Sequence, residues 1–240
     1  MNATRRPDLV LDELESFGGW RMIHEPRPLG VVGTLSRIEA AEMGGTLLVS
    51  NTDMVCEPDM MAMLRSHRES GASWTALCGP FPARGSYSGL SVGDGGVLGA
   101  ASGRRLHYYG ISLMEPPVLG MARRLESGGF FSGLLSACGE AGLRARTFVT
   151  ESSWLDMGSL KLLRGNILAG GSWISPGAAV SPQAELSGTV NVGEGCRIGP
   201  GARVRDSVLL AGSSIESGLL EEAILQWNSV YEREGAVDES

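Results

Sequence analysis

The sequence predicts an α/β domain with a largely parallel sheet, followed by a left-handed parallel β-helix of hexapeptide repeats. Two observations support this prediction. Before residue 169, apolar runs of strand length alternate with segments of helical pattern. From Ile174 onwards, an aliphatic residue recurs at every sixth position. We therefore assign residues 1–168 to the α/β domain, 169–231 to the β-helix and 232–240 to an acidic tail.

Strands of the α/β domain are predicted where β-branched and aromatic residues form short apolar runs. These runs are residues 20–24, 46–50, 73–77, 109–113 and 146–149. Helices are predicted between them, with Pro58 and Ser159 as helix starts. The helical segments are residues 34–43, 58–70, 117–127, 132–141 and 159–168. A short hairpin is predicted around Asp94–Gly96.

The period of six in the last third of the chain fits neither a helix nor a half-buried strand. It is typical of a coil with flat faces, in which one aliphatic side chain points inward at each corner. After the last of these positions the register slips by one residue, to Ile215 and Leu220, as in an atypical terminal coil. The predicted inward residues are Ile174, Val180, Leu186, Val192, Ile198, Val204 and Leu210.

The flat outer faces of the β-helix are expected to carry Val190, Val208 and Leu209. Apolar residues on such a face can pack against another subunit or against the α/β domain. The segment Leu219–Tyr231 is expected to cover the open end of the β-helix as a cap. We therefore expect a homo- or hetero-oligomer that assembles through the β-helix.

Composition narrows the classes of function. A net charge of −7 and a pI near 5.1 argue against a nucleic-acid partner or an anionic membrane surface. No apolar run is long enough for a membrane span, and no signal sequence is recognisable, so we expect a cytoplasmic protein. The four cysteines lack C-x-x-C spacing and are expected to be buried thiols. Lys161 is the only lysine among 20 basic residues.

Three segments carry a resemblance to a known family. Pro28–Leu35 is similar to a loop of the form L-G-T-A-G-A-L, Leu47–Asp53 to a strand ending in N-G-D, and Trp154–Ser159 to W-x-D-I-G-T. Together with the β-helix they resemble the sugar-nucleotide pyrophosphorylases, especially the mannose-1-phosphate guanylyltransferase-like branch. The resemblance implies a Rossmann-like nucleotidyltransferase domain whose ligands are a nucleoside triphosphate or NDP-sugar and a sugar 1-phosphate.

The resemblance implies that Gly30 and Val31 bind the nucleotide. A residue without a Cβ atom at position 30 lets peptide groups approach a nucleobase closely. Val31 stands where the family usually has Thr. The alternative is that this loop is an ordinary turn between a strand and a helix.

Asp53 and Asp156 are implied to bind Mg²⁺. Each follows a predicted strand, and carboxylates at the carboxyl ends of parallel strands face the crevice in which ligands bind. Mg²⁺ prefers carboxylate and phosphate oxygens. Thr52 replaces the Gly of the family motif. The alternative for Asp53 is a cap on the following turn.

Asn51, Tyr109 and Gly110 are implied to bind the sugar. Tyr109 occupies the position of a sugar-contacting Asn or Thr in the family motif N-x-G-I or F-T-G-I. The segment Tyr87–Leu90 is a weaker match, to the family motif R-Y-G. The alternative for Tyr87 and Tyr109 is packing in the core or along a strand.

The chain as given begins after the family's first strand and its loop G-G-x-G-T-R-L. That loop cradles the triphosphate, and its Arg and Lys neutralise charge at the α-phosphorus. The family's second lysine, in an E-K-P-like segment, is also absent, and Arg104 or Arg105 could replace it only imperfectly. We expect either a longer gene product, a partner chain that fills the gap in the sheet, or an altered domain.

Two functions remain open. The first is a nucleotidyltransferase of nucleotide-sugar biosynthesis, converting NTP and sugar 1-phosphate to NDP-sugar and pyrophosphate, with impaired activity in the chain as given. The second is a non-catalytic subunit that senses sugar nucleotides or assembles with an active relative, and the single lysine favours it. A hexapeptide acyltransferase is disfavoured because His24, His67 and His107 all precede the β-helix.

Overall fold

The computed structural model describes residues 2–3, 23–38, 44–82, 87–99, 103–227 and 229–231. The chain folds into two compact units. The first unit comprises residues 1–52 and 56–153, and the second comprises residues 53–55 and 154–240. In the described part of the chain, no helix has the length and apolar character needed to cross a membrane.

Strands and helices alternate up to residue 169. The strands are β1 (Asn2–Ala3), β2 (Ile23–His24), β3 (Leu47–Ser50), β4 (Met54–Cys56), β5 (Trp74–Gly79), β6 (Leu90–Val92), β7 (Arg104–Met114), β8 (Ala145–Val149) and β9 (Trp154–Asp156). The helices are α1 (Gly30–Leu35), α2 (Met60–Ser70), α3 (Pro116–Leu125), α4 (Leu135–Glu140) and α5 (Leu160–Ala169). A π-helical turn at Phe130–Leu134 leads directly into α4.

The main sheet of the first unit has the strand order β3-β7-β5-β8, and β6 also pairs with β7. The long strand β7 runs antiparallel to β3, β5 and β6. Among these strands only β5 and β8 pair in parallel, from Trp74 opposite Ala145. The strands β3, β5, β6 and β8 therefore run in one direction, as expected for a largely parallel sheet, but β7 runs in the opposite direction between β3 and β5 and makes the sheet mixed.

The ends of the predicted helices shift where side chains cap them. The helix α2 begins at Met60 instead of Pro58, because the Asp59 carboxylate accepts the Ala62 N–H at 2.7 Å. Ser159 caps α5 as predicted. The helix predicted at residues 34–43 is instead the short α1, and residues 39–43 lie outside the described part, as do residues 20–22 of the first predicted strand.

The reversal predicted around Asp94–Gly96 is present as a 3₁₀ turn. Val92 forms an antiparallel bridge with Leu98, and the Gly93 N–H donates to the Val97 carbonyl at 2.9 Å. This segment therefore turns back on itself beside β8, where Val97 bridges to Arg146.

The core of the first unit lies between the sheet and the helices. Phe130 and Phe131 pack against Trp74, with ring centroids 4.8 and 5.6 Å away. Apolar side chains that recur on one face of α3 are buried against the same group. The largest contributors are Val32, Trp74, Met114, Val118, Leu119 and Leu134.

A polar network is also buried in the first unit. The two ring nitrogens of His67 lie 2.7 Å from Thr75 Oγ1 and 3.0 Å from Glu115 Oε1. Thr46 Oγ1 donates to the same Glu115 oxygen at 2.7 Å. Burial alone would raise the pKa of Glu115, but the hydrogen bonds from Thr46 and His67 and the nearby charges of His67 and Arg68 lower it overall. The network joins α2 to β3, β5 and the start of α3.

Three of the four cysteines, Cys78, Cys138 and Cys196, are buried, and Cys56 is partly exposed. All four are free thiols, and the predicted burial is confirmed for three of them and wrong for Cys56. Burial raises the pKa of Cys78 to about 12 and that of Cys138 to about 11, which keeps these thiols protonated.

Short parallel strands make up most of the second unit after residue 172. They form two sheets, one with the order β10-β13-β15-β17-β18 and one in which β14 pairs with β11, β12 and β16. Only the last pair, β17 with β18, is antiparallel. The strands are β10 (Trp173–Ile174), β11 (Ala179–Val180), β12 (Glu185–Ser187), β13 (Asn191–Val192), β14 (Arg197–Arg205), β15 (Val208–Leu209), β16 (Ser214–Glu221), β17 (Ile224–Gln226) and β18 (Ser229–Tyr231).

The pairing register gives the length of each coil in this stack. Trp173 pairs with Asn191, and this step is three times the predicted period. Each later step is one position shorter than the step before it, first from Asn191 to Val208 and then from Val208 to Ile224. We call residues 173–190, 191–207 and 208–223 coils 1, 2 and 3. Left-handed winding stays a prediction.

The interior of the stack contains most of the predicted inward residues. Val192, Ile198 and Val204 are fully buried, and Val180 and Leu186 pack against them from coil 1. The prediction for Ile174 is wrong, because this residue lies in the first coil and is 45% exposed.

The register slips one six-residue repeat earlier than the sequence predicted, before Leu209 instead of after Leu210. Val192 pairs with Leu209, so that Leu209 is buried inside and Leu210 is only half-buried. The earlier slip follows from the shorter step of coil 2. The predicted outward position of Leu209 is therefore wrong, and so is that of Val190, which also lies in the interior cluster.

The outer side of β15 is covered within the second unit. Val208 and Ile224 alternate with inward residues, yet both are buried. The helix α5 packs against β15, and Arg164 of α5 donates to the Asp206 carbonyl at 3.0 Å. Val208 therefore lies in an internal contact of the second unit, and a contact with another subunit is not needed to bury it.

The expected cap at Leu219–Tyr231 is confirmed only for β18, which pairs antiparallel with β17 at the end of its sheet. The rest of the segment supplies strands of the stack itself, from the end of β16 to β17. Trp227 and Tyr231 stay exposed instead of covering an end.

Candidate functional site

Asp53 and Asp156 flank two paired strands of the second unit. Asp53 directly precedes β4, and Asp156 is the last residue of β9. These strands form a two-stranded sheet, and the Met157 N–H donates to the Asp53 carbonyl at 2.8 Å. The pairing brings together two acidic residues that are far apart in the sequence.

The two carboxylates meet beside Gly158. A Cβ atom added to Gly158 would lie 3.0 Å from Asp156 Oδ1 and 3.1 Å from Asp53 Oδ2. The separation of the two oxygens therefore cannot exceed the sum of these two distances. Any side chain at position 158 would occupy the space between them.

Backbone contacts hold Asp156 in this position. The Gly158 N–H donates to Asp156 Oδ1 at 2.7 Å, and Asn166 Nδ2 of α5 donates to the Asp156 carbonyl at 2.7 Å. Ser159 caps α5 immediately after this turn. Asp53 is exposed and Asp156 half-buried, so the carboxylates are accessible to a ligand from solvent.

The chemistry of this pair fits Mg²⁺. Mg²⁺ binds oxygen at about 2.1 Å, so two oxygens that share one ion directly lie about 4 Å apart, and a bridging water permits a wider separation. Within the described residues, no third His, Cys, Asp or Glu joins the pair. Mg²⁺ sites of this kind use one or two carboxylates and take their other ligands from water and phosphate.

The loop at Gly30 is held by a buried carboxylate. Glu25 is only 1% exposed, its Oε2 accepts the Leu29 N–H at 3.1 Å, and its Oε1 accepts the Thr34 hydroxyl at 2.5 Å. Gly30 has a φ of +69° and is exposed, whereas Val31 packs against the core of the first unit. The carboxylate therefore fixes both sides of the loop that starts α1.

Asn51 and Gly110 lie next to each other at the end of the β3–β7 pair. The Asn51 N–H donates to the Gly110 carbonyl at 2.8 Å. Gly110 has a φ of +83°, and a Cβ atom there would lie 3.1 Å from Asn51 Cβ. A glycine is therefore required both by the backbone conformation and by the space that Asn51 occupies.

Tyr109 is buried beside this pair. Its ring packs over Gly79, and its hydroxyl donates to the Pro80 carbonyl at 3.2 Å. Burial raises the pKa of Tyr109, and the thiol of Cys56 and the carboxylate of Glu151 add to the shift. The phenol thus stays protonated.

A cavity of about 540 Å³ lies on another part of β7 and is lined mainly by aromatic rings. Tyr108 Oη lies 3.0 Å from Ser112 Oγ, and the Tyr108 ring contacts Phe131 edge-on. Tyr87, from the segment that resembles R-Y-G, lines the same cavity. Its lining side chains are Tyr87, Leu90, His107, Tyr108, Phe130 and Phe131.

Comparison with known families assigns the C-terminal part of the chain. Residues 168–240 match the family model of the GMPPB C-terminal domain. For the C-terminal part of the chain, this match confirms the predicted resemblance to the sugar-nucleotide pyrophosphorylases. No protein of curated function matches the chain.

Solved structures share the fold of this chain at low identity. HddC from Yersinia pseudotuberculosis is 15% identical, with a TM-score of 0.52 over 68% of this chain and 74% of HddC. The complex of HddC with GMP-PN is also 15% identical, with a TM-score of 0.50 over 65% of this chain and 71% of HddC. The third structure is a protein from Bacillus anthracis that is assigned as a glucose-1-phosphate thymidylyltransferase and was solved in complex with a sucrose. It is 15% identical, with a TM-score of 0.56 over 68% of this chain and 71% of the Bacillus anthracis protein.

The residues predicted from the pyrophosphorylase motifs fall into separate groups. The structure brings Asp53 and Asp156 together in the second unit. In the first unit it brings together Asn51 and Gly110, with Tyr109 adjacent in sequence. Their roles toward nucleotide, sugar and metal stay predictions.

Two residues of this geometry were missed by the sequence analysis. Gly158 was quoted as part of W-x-D-I-G-T but was given no role of its own. Glu25 was missed because a charged side chain is rarely fully buried, and nothing in the sequence pattern indicates its burial.

Proposed function

We propose that this chain is a nucleotidyltransferase-family protein of nucleotide-sugar biosynthesis that binds Mg²⁺ and a nucleotide through Asp53 and Asp156. The convergence of these two carboxylates at Gly158 is the observation that carries the proposal. The folds of HddC, solved with GMP-PN, and of the Bacillus anthracis protein support it.

The reaction of this class joins a sugar 1-phosphate to a nucleoside triphosphate. A phosphate oxygen of the sugar 1-phosphate attacks the α-phosphorus, a new P–O bond forms, and the bond to the departing pyrophosphate breaks. A nucleophilic side chain is not needed. Mg²⁺ bound at the carboxylates would neutralise phosphate charge. The carboxylates themselves hold and orient the phosphate–metal complex, while the hydrogen bond from Gly158 N fixes Asp156.

The first unit supplies the proposed nucleotide and sugar contacts. Gly30 and Val31 are proposed to contact the nucleotide, because the exposed backbone at Gly30 has no Cβ atom and is fixed by Glu25. Asn51, Tyr109 and Gly110 are proposed to contact the sugar. The compact packing of Asn51 over Gly110 supports a fixed position for the Asn51 amide.

A second candidate function is a non-catalytic subunit that senses sugar nucleotides or assembles with an active relative. The observation in its favour is the single lysine, because Lys161 is exposed on α5 and no other lysine side chain in this chain can neutralise a phosphate. Arg105 cannot move freely into that role, since its guanidinium donates to the Gly89 carbonyl at 2.8 Å.

Binding and turnover measured in parallel separate these functions. Calorimetric titrations in the presence of Mg²⁺ should use GTP, dTTP, ATP, CTP and UTP and the corresponding NDP-sugars. They should detect a nucleotide ligand whose affinity is lower for the double variant Asp53→Ala, Asp156→Ala than for wild type. Pyrophosphate release above that variant would establish catalysis. Binding without release, which we expect for this chain alone, would support the sensing or assembly function. Absence of any Mg²⁺-dependent binding would contradict the proposal.

A further inference from the structure

The aromatic cavity on β7 has a lining that suits an apolar group. Five of its nine lining residues carry aromatic rings, and Leu90 adds an aliphatic side chain. Among the described lining residues there is no carboxylate, guanidinium, ammonium or carboxamide group. Ser88 and Ser132 are exposed and therefore belong to the rim. The interior of the cavity thus offers carbon atoms to a ligand.

The phenol of Tyr108 is engaged on the side away from the cavity. Its hydroxyl lies 3.0 Å from Ser112 Oγ, which also accepts the Trp74 indole N–H at 3.1 Å. Both Ser112 and Trp74 are completely buried. The Tyr108 hydroxyl is therefore turned toward the core, and the carbon atoms of its ring are left to face the cavity.

The other polar groups of the lining are engaged or enclosed. The Gly89 carbonyl accepts a hydrogen bond from the Arg105 guanidinium at 2.8 Å. His107 is buried, and its ring centroid lies 4.6 Å from that of Tyr87 and 5.8 Å from that of Tyr109. A ligand hydroxyl that entered the cavity would exchange water for carbon neighbours, which is unfavourable for a polar group.

The cavity adjoins the residues proposed to contact the sugar. Tyr108 lines the cavity and directly precedes Tyr109 and Gly110 in β7. A strand rises about 3.3 Å per residue, so Tyr108 and Gly110 are about 7 Å apart. Asn51 packs against Gly110. A sugar held at Asn51 can therefore extend one substituent into the cavity.

We propose that the cavity receives the methyl group of a deoxysugar, so that the preferred sugar 1-phosphate of this chain is a 6-deoxyhexose 1-phosphate. A methyl group in place of the hydroxymethyl group of a hexose gains apolar contacts and leaves no hydroxyl without a partner. An N-acetyl group also ends in a methyl group, but its amide N–H and carbonyl need partners that the described lining does not offer. This inference rests on the proposed function, because the cavity selects among sugars only if the chain binds a sugar phosphate.

Matched pairs of sugar 1-phosphates test the preference. D-rhamnose 1-phosphate and D-mannose 1-phosphate differ only in the oxygen atom at C6, and so do D-fucose 1-phosphate and D-galactose 1-phosphate. Calorimetric titrations of the full chain in Mg²⁺, with and without GTP, should show that the deoxy member of at least one pair binds about tenfold more tightly or better. Equal affinities within both pairs, or tighter binding of the hydroxylated members, would overturn the proposal.

The variant Leu90→Asn tests whether the preference comes from this cavity. Its amide offers a hydrogen-bond partner to a ligand hydroxyl, so the ratio of the two affinities should fall severalfold. Leu143→Asn is the matched control, because Leu143 is also partly buried against the same core but does not line this cavity. Its ratio should equal that of wild type. Circular dichroism establishes that both variants are folded, and an unchanged ratio in folded Leu90→Asn would overturn the proposal.

Saturation-transfer NMR locates the methyl group without a mutation. Brief irradiation of the aromatic protons of wild type should saturate the C6 methyl protons of the bound deoxysugar more than its H1 proton, because aromatic rings line the cavity. A methyl signal no stronger than that of H1 would place the methyl group elsewhere and overturn the proposal.

Titration with nucleotides in Mg²⁺ reports separately on the proposed function. Nucleotide binding without a preference for deoxysugars would overturn this inference and leave the proposed function intact. A deoxysugar preference without any nucleotide binding would do the reverse. Absence of binding by all four sugar 1-phosphates would overturn the inference in either case.

Discussion

Asp53 Oδ2 and Asp156 Oδ1 lie 3.1 and 3.0 Å from the one point that a Cβ atom of residue 158 would occupy. Two accessible carboxylates this close together repel each other unless a cation or a proton lies nearby. A glycine at position 158 leaves that space free. The relationship between these residues leads to two predictions about metal binding.

The first prediction concerns the carboxylates themselves. Asp53→Asn and Asp156→Asn should each weaken Mn²⁺ binding in the presence of a nucleoside triphosphate by about tenfold or more, because a charged ligand is lost. Electron paramagnetic resonance of free Mn²⁺ measures this affinity. Asp94→Asn removes an exposed carboxylate from a turn of the first unit and serves as the control. Equal Mn²⁺ affinity in all three variants would refute the site.

The second prediction concerns Gly158. Gly158→Ala would place a methyl group between the carboxylates, so Mn²⁺ affinity should fall severalfold while the thermal unfolding midpoint changes little. Gly165→Ala is the matched control in α5, because a Cβ atom there meets nothing within 4 Å. It should stabilise the helix by about 0.5–1 kcal/mol and leave the metal affinity unchanged. If Gly158→Ala binds Mn²⁺ like wild type, the ion does not lie between these side chains.

Much of the strand stack could be predicted because its repeat is local in sequence. Each inward aliphatic residue stacks on its equivalent one coil later, so Ile198 and Val204 were recognised from spacing alone. The point of the slip could not be predicted. Leu209 and Leu210 are both leucines, so both registers satisfy the pattern, and only the pairing of Val192 with Leu209 decides between them.

The sheet of the first unit was harder to predict, since strand direction depends on contacts between distant segments. The strand β7 pairs with β3, which lies much earlier in the chain, and no local signal indicates an antiparallel pair. The candidate site was predicted only where motifs mark it. Asp53 and Asp156 were found in this way, whereas Glu25 acts through burial that the sequence does not reveal.

The third prediction concerns the backbone at Gly110. Gly110→Ala should lower the free energy of unfolding by about 1–3 kcal/mol, because alanine is strained at a φ of +83° and its Cβ would press on Asn51. Urea denaturation measures the change. Gly120→Ala in α3, where a Cβ atom meets nothing within 4 Å, should not destabilise the protein. Equal stability of the two variants would contradict the proposed constraint.

The fourth prediction concerns the pH dependence of stability. The folded-state pKa of Glu115 is lowered, so its ionised form contributes stability above the ordinary pKa of 4.5, and this contribution is lost as the pH falls through the folded pKa. Thermal unfolding of wild type and Glu115→Gln should therefore differ most at neutral pH and converge as the pH falls below 4.5 and through the lowered folded-state pKa. A constant difference from pH 7 to pH 3 would show that the ionised carboxylate is not responsible.

The fifth prediction joins the buried carboxylate of Glu25 to the loop at Gly30. Glu25→Ala removes an acceptor of the Leu29 N–H and of the Thr34 hydroxyl, and the loss of a hydrogen bond to a charged group costs about 1.5–3 kcal/mol. The variant should unfold at lower urea concentration. It should also bind nucleotide more weakly, because the loop loses its fixed conformation.

Glu69→Ala, at an exposed position of α2, controls for the loss of one negative charge. The decisive measurement is nucleotide affinity without urea, at a temperature where wild type and Glu25→Ala are both fully folded by circular dichroism. Weaker binding by the folded variant would support a position of Gly30 near the nucleotide, since Glu25 itself is buried and its carboxylate accepts hydrogen bonds from this loop. Unchanged affinity together with reduced stability would mean that the loop is an ordinary turn between a strand and a helix, and the roles proposed for Gly30 and Val31 would then be withdrawn.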